Sequence, residues 1–218
     1  KIKFQNIKWI NKLKKISEFP SIFIANEFFD ALPVKQFINK GSSWYEKYII
    51  NKNKSLEFYE KKIKKELIEK LMKQKVAKSQ KFIEFSPLAN EKLNLITKFI
   101  KKNNGGILII DYGYTGTKMI DTLQSVKNHK KNNFLENIYK ADITHLINFN
   151  FLKQKIKSLK IDSVNLTTQR DFLIKMGILE RAEIISKNMP FSKKTDVYFR
   201  LKRLIDKKQM GTLFKVLF

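Results

Sequence analysis

Ser86-Pro87-Leu88-Ala89-Asn90 opens, and Asn103-Asn104-Gly105-Gly106-Ile107-Leu108-Ile109-Ile110-Asp111-Tyr112-Gly113-Tyr114 closes, the stretch that decides the fold. Pro sits well in a first helical turn, and Leu88, Leu93, Ile96, Phe99 and Ile100 form an apolar stripe, so a helix is predicted from Ser86 to the break at Asn103-Asn104-Gly105. Gly106 to Asp111 then reads as a wholly apolar strand ending in a polar cluster. Helix, buried strand and polar loop make one period of an α/β sheet with parallel strands.

Working outward, Ser21-Ile22-Phe23-Ile24-Ala25 is a second strand of the doubly buried type. Ahead of it, Ile7, Ile10, Leu13 and Ile16 suggest a helical stripe that Pro20 ends. Residues 34–60 carry aromatic and β-branched runs broken at Asn39-Lys40-Gly41 and Asn51-Lys52-Asn53-Lys54, the pattern of a small antiparallel β insertion. Lys61 to Gln80 is predicted as a charged amphipathic helix, and Thr122 to Val126 as a short strand. Helix is expected over 143–159, strand over 161–166, helix over 172–187 with a break at Gly177, helix over 197–205, and a closing strand over 213–218.

Composition excludes several classes of function. The chain has 218 residues and no Cys, which removes disulfides, iron–sulfur ligands and thiol nucleophiles. His129 and His145 are the two histidines, too few for a three-His zinc site, and no metal is expected. No apolar run approaches the ~20 residues that span a bilayer. The net charge of +25 suggests a polyanion partner, yet only Arg170, Arg181, Arg200 and Arg203 are arginine among 45 cations. The lysines are dispersed and occur with abundant Ile and Asn, the signature of AT-rich codons. A solvated basic surface is therefore expected, with no dedicated nucleic-acid binding and no membrane span.

Ligands of open α/β sheets bind beyond the carboxyl ends of the strands. Two strands here end in Asn26-Glu27-Phe28-Phe29-Asp30 and in Asp111-Tyr112-Gly113-Tyr114. Were Glu27 to begin a helical turn, Glu27 and Asp30 would share one face, as a clamp for a guanidinium or ammonium, or simply as an acidic first turn. Gly113-x-x-Gly116 is too short for a phosphate cradle. His145 is expected on a helix surface or half-buried, and His129 in a solvated loop.

Taken together, these segments resemble the MidA family, that of a mitochondrial complex I assembly factor that methylates protein arginine with S-adenosylmethionine. The blocks that carry the resemblance run in order: Ala25-Asn26-Glu27-Phe28-Phe29-Asp30-Ala31-Leu32-Pro33-Val34-x-Gln36-Phe37, Trp44-x-Glu46, Glu84-x-Ser86-Pro87 and Ile110 to Tyr114. Asp121 to Val126 with His129, Ala141 to Thr144, Thr168-Gln169-x-x-Phe172-Leu173, Gly177-Ile178-x-x-Arg181-Ala182 and Met210 to Leu217 follow. Departures are Ile120 and Arg170 at positions that are commonly glycine, and Leu146 and Asn148 where His or Asp, then Asp, are usual.

The resemblance implies a Rossmann-like class I methyltransferase sheet, here incomplete, with the four main strands as the family's strands four to seven and the last antiparallel. Residues 1–218 would be the C-terminal part of one methyltransferase domain, because the chain begins at Lys1 and the family's glycine-rich cofactor loop has no counterpart in it. Cofactor-binding residues are accordingly expected upstream. Glu27, Asp30 and Asn26 are the expected catalytic residues, with Phe28, Phe29, Asp111, Tyr112 and His129 toward the substrate. An arginine-bearing protein, such as a respiratory complex subunit, is the expected substrate, and self-association is a further expected partnership. The cytoplasm of a bacterium with an AT-rich genome is the expected location, with the mitochondrial matrix second. The rival reading is a non-catalytic basic module that binds a protein or nucleic acid.

Overall fold

A computed structural model describes residues 7–12, 16, 18–73, 80–128, 130–161 and 163–218. Its elements in chain order are β1 (Ser21–Asn26), β2 (Lys35–Lys40), β3 (Ser43–Lys52), β4 (Ser55–Lys62), α1 (Lys65–Lys73), β5 (Phe82–Phe85), α2 (Pro87–Asn103) and β6 (Gly105–Tyr114). Then come β7 (Gln124–Lys127), β8 (Lys130–Asn132), β9 (Asp142–Thr144), β10 (Ile147–Asn148), α3 (Phe149–Ser158) and β11 (Leu166–Thr168). The chain ends with α4 (Gln169–Lys175), α5 (Ile178–Ser186), α6 (Phe191–Ile205), α7 (Met210–Leu213) and β12 (Phe214–Leu217).

The main sheet runs β1-β6-β12-β11, with β10 also on β6. β1 pairs parallel to β6 in the register Ser21 with Gly105 through Asn26 with Ile110, while β12 runs antiparallel to both β6 and β11. α2 is opened by Ser86, whose hydroxyl accepts the Ala89 N–H, and is stopped by Asn104 and Gly105 with positive φ. Its buried face meets the sheet, with Phe99 edge-on to Phe23 at 5.4 Å. α3 packs beside it, and Ala25, Phe29, Leu93, Ile109, Phe149 and Ile156 fill the core between them. On the opposite face of β1, Ile22 is 76% exposed and Ile24 is open as well.

The run 34–60 does form an antiparallel meander, but β5 joins it by pairing Lys35 with Phe85 through Ile38 with Phe82. That makes a four-stranded sheet with its own core of Phe37, Trp44, Ile83 and Met119.

Other expectations shift. Residues 7–12 and 16 are irregular and not helical, and the rest of that stripe lies outside the described residues, as do positions 74–79 of the expected 61–80 helix. The helix expected from 143 begins at Phe149, because Asp142 to Asn148 is spent on β9 and β10. Strand 161–166 is displaced to Leu166–Thr168: Ile161 and Val164 go to the core instead of to a ladder.

Gly105 has φ +128°, and a Cβ on it would lie 2.0 Å from the Ser21 carbonyl oxygen, so the start of β6 can approach β1 only as glycine. Gly105→Ala should lower stability by about 2 kcal/mol or more. Gly106→Ala, with nothing within 4 Å of the new Cβ, should stay within about 1 kcal/mol of the parent. Urea midpoints of the two variants check this.

Candidate active site

β1 delivers its carboxyl end as Asn26, which is exposed, and the chain then breaks from the strand at Glu27. Glu27 holds φ 45°, in the left-handed region, while its N–H still donates to the Ile110 carbonyl at 2.9 Å. No helical turn begins here, so Glu27 and Asp30 do not share one face. Glu27 points to solvent, whereas Asp30 is 5% exposed. The two phenylalanines divide in the same way: Phe29 enters the core, and Phe28 stands half-open against it with ring centroids 5.2 Å apart.

Asp111 causes this conformation. Wholly buried within β6, three residues before its end, Asp111 accepts at Oδ2 the N–H groups of Phe29 at 3.1 Å and Asp30 at 3.2 Å, and at Oδ1 the Tyr112 N–H at 3.0 Å. The Tyr112 hydroxyl donates to Asp30 Oδ2, and the Asp30 carbonyl accepts the His145 N–H at 3.1 Å. Asp30 Oδ1 is buried with no partner. Burial first, and then the charge of Asp30, push the Asp111 carboxyl up to about 7, against the pull of its three N–H donors. Burial and the bond to Asp30 raise the Tyr112 phenol as well.

No cation among the described residues forms an ion pair with Asp30 or Asp111. Among the described residues the ion pairs fall elsewhere, for example Lys35 to Glu46 at 2.7 Å and Lys47 to Asp121 at 3.0 Å. Lys215, paired with Asp111 in the β12 to β6 ladder, spends its ammonium on the carbonyls of Gly113, Thr212 and Leu213.

A second polar group was not foreseen among the site residues. Gln36 donates to Glu84 at 2.6 Å and to Asp121 at 2.7 Å, and Thr122 donates to Glu84 through its hydroxyl and, at 3.4 Å, its N–H. Glu84 and Asp121-Thr122 stand in separate motif blocks, and nothing in local spacing joins positions 38 residues apart. His145, expected at a surface or half-buried, is buried between β9 and β10, and its Nε2 has no partner. His129 lies outside the described residues.

The carboxyl pair sets a pH dependence. With Asp111 raised from 3.8 toward about 7, the folded state binds a proton that the unfolded chain releases, so this group's contribution to stability is lost as pH rises through that window. Asp30→Asn removes the like charge and should flatten the loss. Urea midpoints of parent and variant at about pH 5 and about pH 8 check this.

Comparison with known proteins gives the arrangement a context. The chain is 32% identical over 179 residues to the mitochondrial protein arginine methyltransferase NDUFAF7 homolog of Caenorhabditis elegans, covering 81% of this chain and 42% of that one. It is 29% identical to the NDUFAF7 protein arginine methyltransferase of Danio rerio, covering 96% of this chain and 49% of that one. It thus spans about half the length of the curated relatives it matches. A solved structure from Burkholderia thailandensis bound to S-adenosyl-homocysteine superposes with TM-score 0.74 at 19% identity, covering 96% of this chain and 55% of that one. A second structure from that organism gives TM-score 0.78 at 18% identity, covering 94% and 56%; at such identities the likeness speaks for the fold. A family model described as putative S-adenosyl-L-methionine-dependent methyltransferase matches residues 1–167, and the chain belongs to that family.

Proposed function

We propose that the whole protein is a protein-arginine N-methyltransferase that uses S-adenosylmethionine, and that this chain is the C-terminal part of its catalytic domain. The observation that carries the reading is electrostatic. In a chain with 45 cations and 20 acids, Asp30 and Asp111 are buried toward the carboxyl ends of two parallel strands without a cationic partner among the described residues. Burying carboxylates is costly unless something pairs with them. A sulfonium cofactor and a guanidinium substrate are both cations, and this corner suits them.

The order β1-β6-β12-β11 with β12 antiparallel supports reading these strands as the family's fourth, fifth, seventh and sixth. The first three strands and the glycine-rich loop would then belong to chain that precedes Lys1 and pairs with β1. The segment 34–60 would be an insertion in the domain. S-adenosylmethionine, when bound, supplies an electrophilic methyl group, and Asn26 and Glu27, exposed at the end of β1, would face it.

The remaining work falls to side chains already in place. A charged guanidinium has no free lone pair, so its reacting nitrogen must shed a proton as the methyl group arrives. Asp30 Oδ1, buried and unpartnered, is the acceptor, and Tyr112 fixes the carboxylate by holding Oδ2. Glu27, on the solvent side, would hold the arginine side chain at the mouth of the crevice, with Phe28 beside it. The resemblance extends the reading to respiratory complex I assembly, with a complex subunit as the methylated protein.

Transfer of labelled methyl groups by the whole protein to arginine peptides tests this. Asp30→Asn and Glu27→Gln should each slow turnover by about 10²–10³. Variants that turn over like the parent would show that these carboxylates are not the catalytic pair.

A further inference from the structure

Glu84 is the third acid buried without a cation. It is 8% exposed, on a chain of net charge +25. Its oxygens accept from Gln36 and from Thr122, which are neutral donors, and it joins none of the ion pairs among the described residues. Its neighbour Asp121, by contrast, is neutralised by Lys47. Its donors are neutral, so no charged partner among the described residues occupies its oxygens.

Beside it is a cavity of about 50 Å³, lined by Glu84, Tyr114, His145 and Asn148, with Phe29 and Phe151 among its walls. The pairing of Ile147 with Gly113 and Asn148 with Tyr114 puts it past the carboxyl ends of β6 and β10, where sheets of this kind bind ligands. Phe29 sits next to Asp30 in the loop held by Asp111, so the cavity and the carboxyl pair share a wall. His145 is 7% exposed, and its Nε2 has no hydrogen-bond partner. Leaving such a nitrogen buried and unmatched is costly. The helix starts that border the cavity do not call for an anion: Ser86 caps α2 at Ala89, and Asn148 caps α3 at Phe151. One water needs about 10–15 Å³ on this scale, so the space is that of an amide or guanidinium head group, not of a nucleobase.

We infer that this cavity receives the guanidinium of the substrate, with Glu84 as its counter-charge and His145 Nε2 as a hydrogen-bond acceptor. The assignment rests on the arginine reading above and adds two substrate-binding residues to it. Glu84 supplies the counter-charge, and His145 Nε2 accepts one N–H and so fixes the plane of the head group. The nitrogen to be methylated is left to face the Asp30 side.

The probe is N-ethylguanidinium, titrated into the whole protein while the imidazole signals are followed by NMR. A His145→Gln variant assigns the His145 signal by its loss. The His145 signal should shift saturably. Glu84→Gln should weaken binding about tenfold or more, and His145→Phe, which lacks the signal and is therefore followed by titration calorimetry, should abolish it. Circular dichroism of each variant confirms that the fold persists. An equal response to ethylammonium or to sodium chloride, or no saturable shift, overturns the inference. The two readings fail separately. Whole protein that methylates arginine as well with Glu84→Gln as without it removes the cavity from the site and leaves the function. Glu84-dependent binding in a protein that methylates no arginine keeps the cavity and removes the function.

Discussion

One carboxylate holds the two ends of the site together. Asp111 takes the N–H groups of Phe29 and Asp30 and thereby fastens the loop after β1 to the last turn-free residues of β6. Those donors would otherwise be left to water. With Glu27 at φ 45° the chain leaves the strand without entering a helix, and with these two donors held by Asp111, Phe29 drops into the core and Asp30 is carried down beside the acid that holds it. Burial of Asp111 costs free energy, and three N–H donors offset that cost only in part. The residual strain shows in the upward push on its carboxyl group.

From this follows an unusual charge layout. Lysines are abundant, while among the described residues the buried Asp30, Asp111 and Glu84 join no ion pair with them. The nearest candidate across the ladder, Lys215, is drawn off by three carbonyls. A basic exterior and an acid interior belong to different levels of explanation. The first needs nothing beyond composition, whereas the second depends on specific hydrogen bonds.

The sequence is most legible where local chemistry decides. Ser86-Pro87 and Asn104-Gly105 set the limits of α2, and the apolar runs at 22–25 and 107–110 became the parallel pair at the heart of the sheet. Legibility fails where a partner far along the chain decides. Phe82–Phe85 is too short to announce a strand and exists because β2 offers an edge. Residues 142–148 have spacing that a helix would accept. Gly113 instead lets β10 approach β6 so closely that a Cβ there would lie 2.1 Å from the Ile147 oxygen, and the segment extends. The same limit hid part of the candidate site. Asn26 to Asp30 could be picked out as one run of residues, whereas Glu84, Thr122 and His145 meet only after folding, and no spacing rule joins them.

The backbone at Glu27 has a consequence for anyone who would engineer this protein. A residue with a side chain held at φ 45° strains the loop by about 1 kcal/mol or more, and glycine or asparagine would relieve it. A thermostability screen blind to chemistry would therefore favour replacing the carboxylate that stands at the mouth of the crevice. If Glu27 has the catalytic role proposed above, robustness and turnover pull this one position in opposite directions, and a hardened scaffold has to draw its gains from elsewhere on the chain.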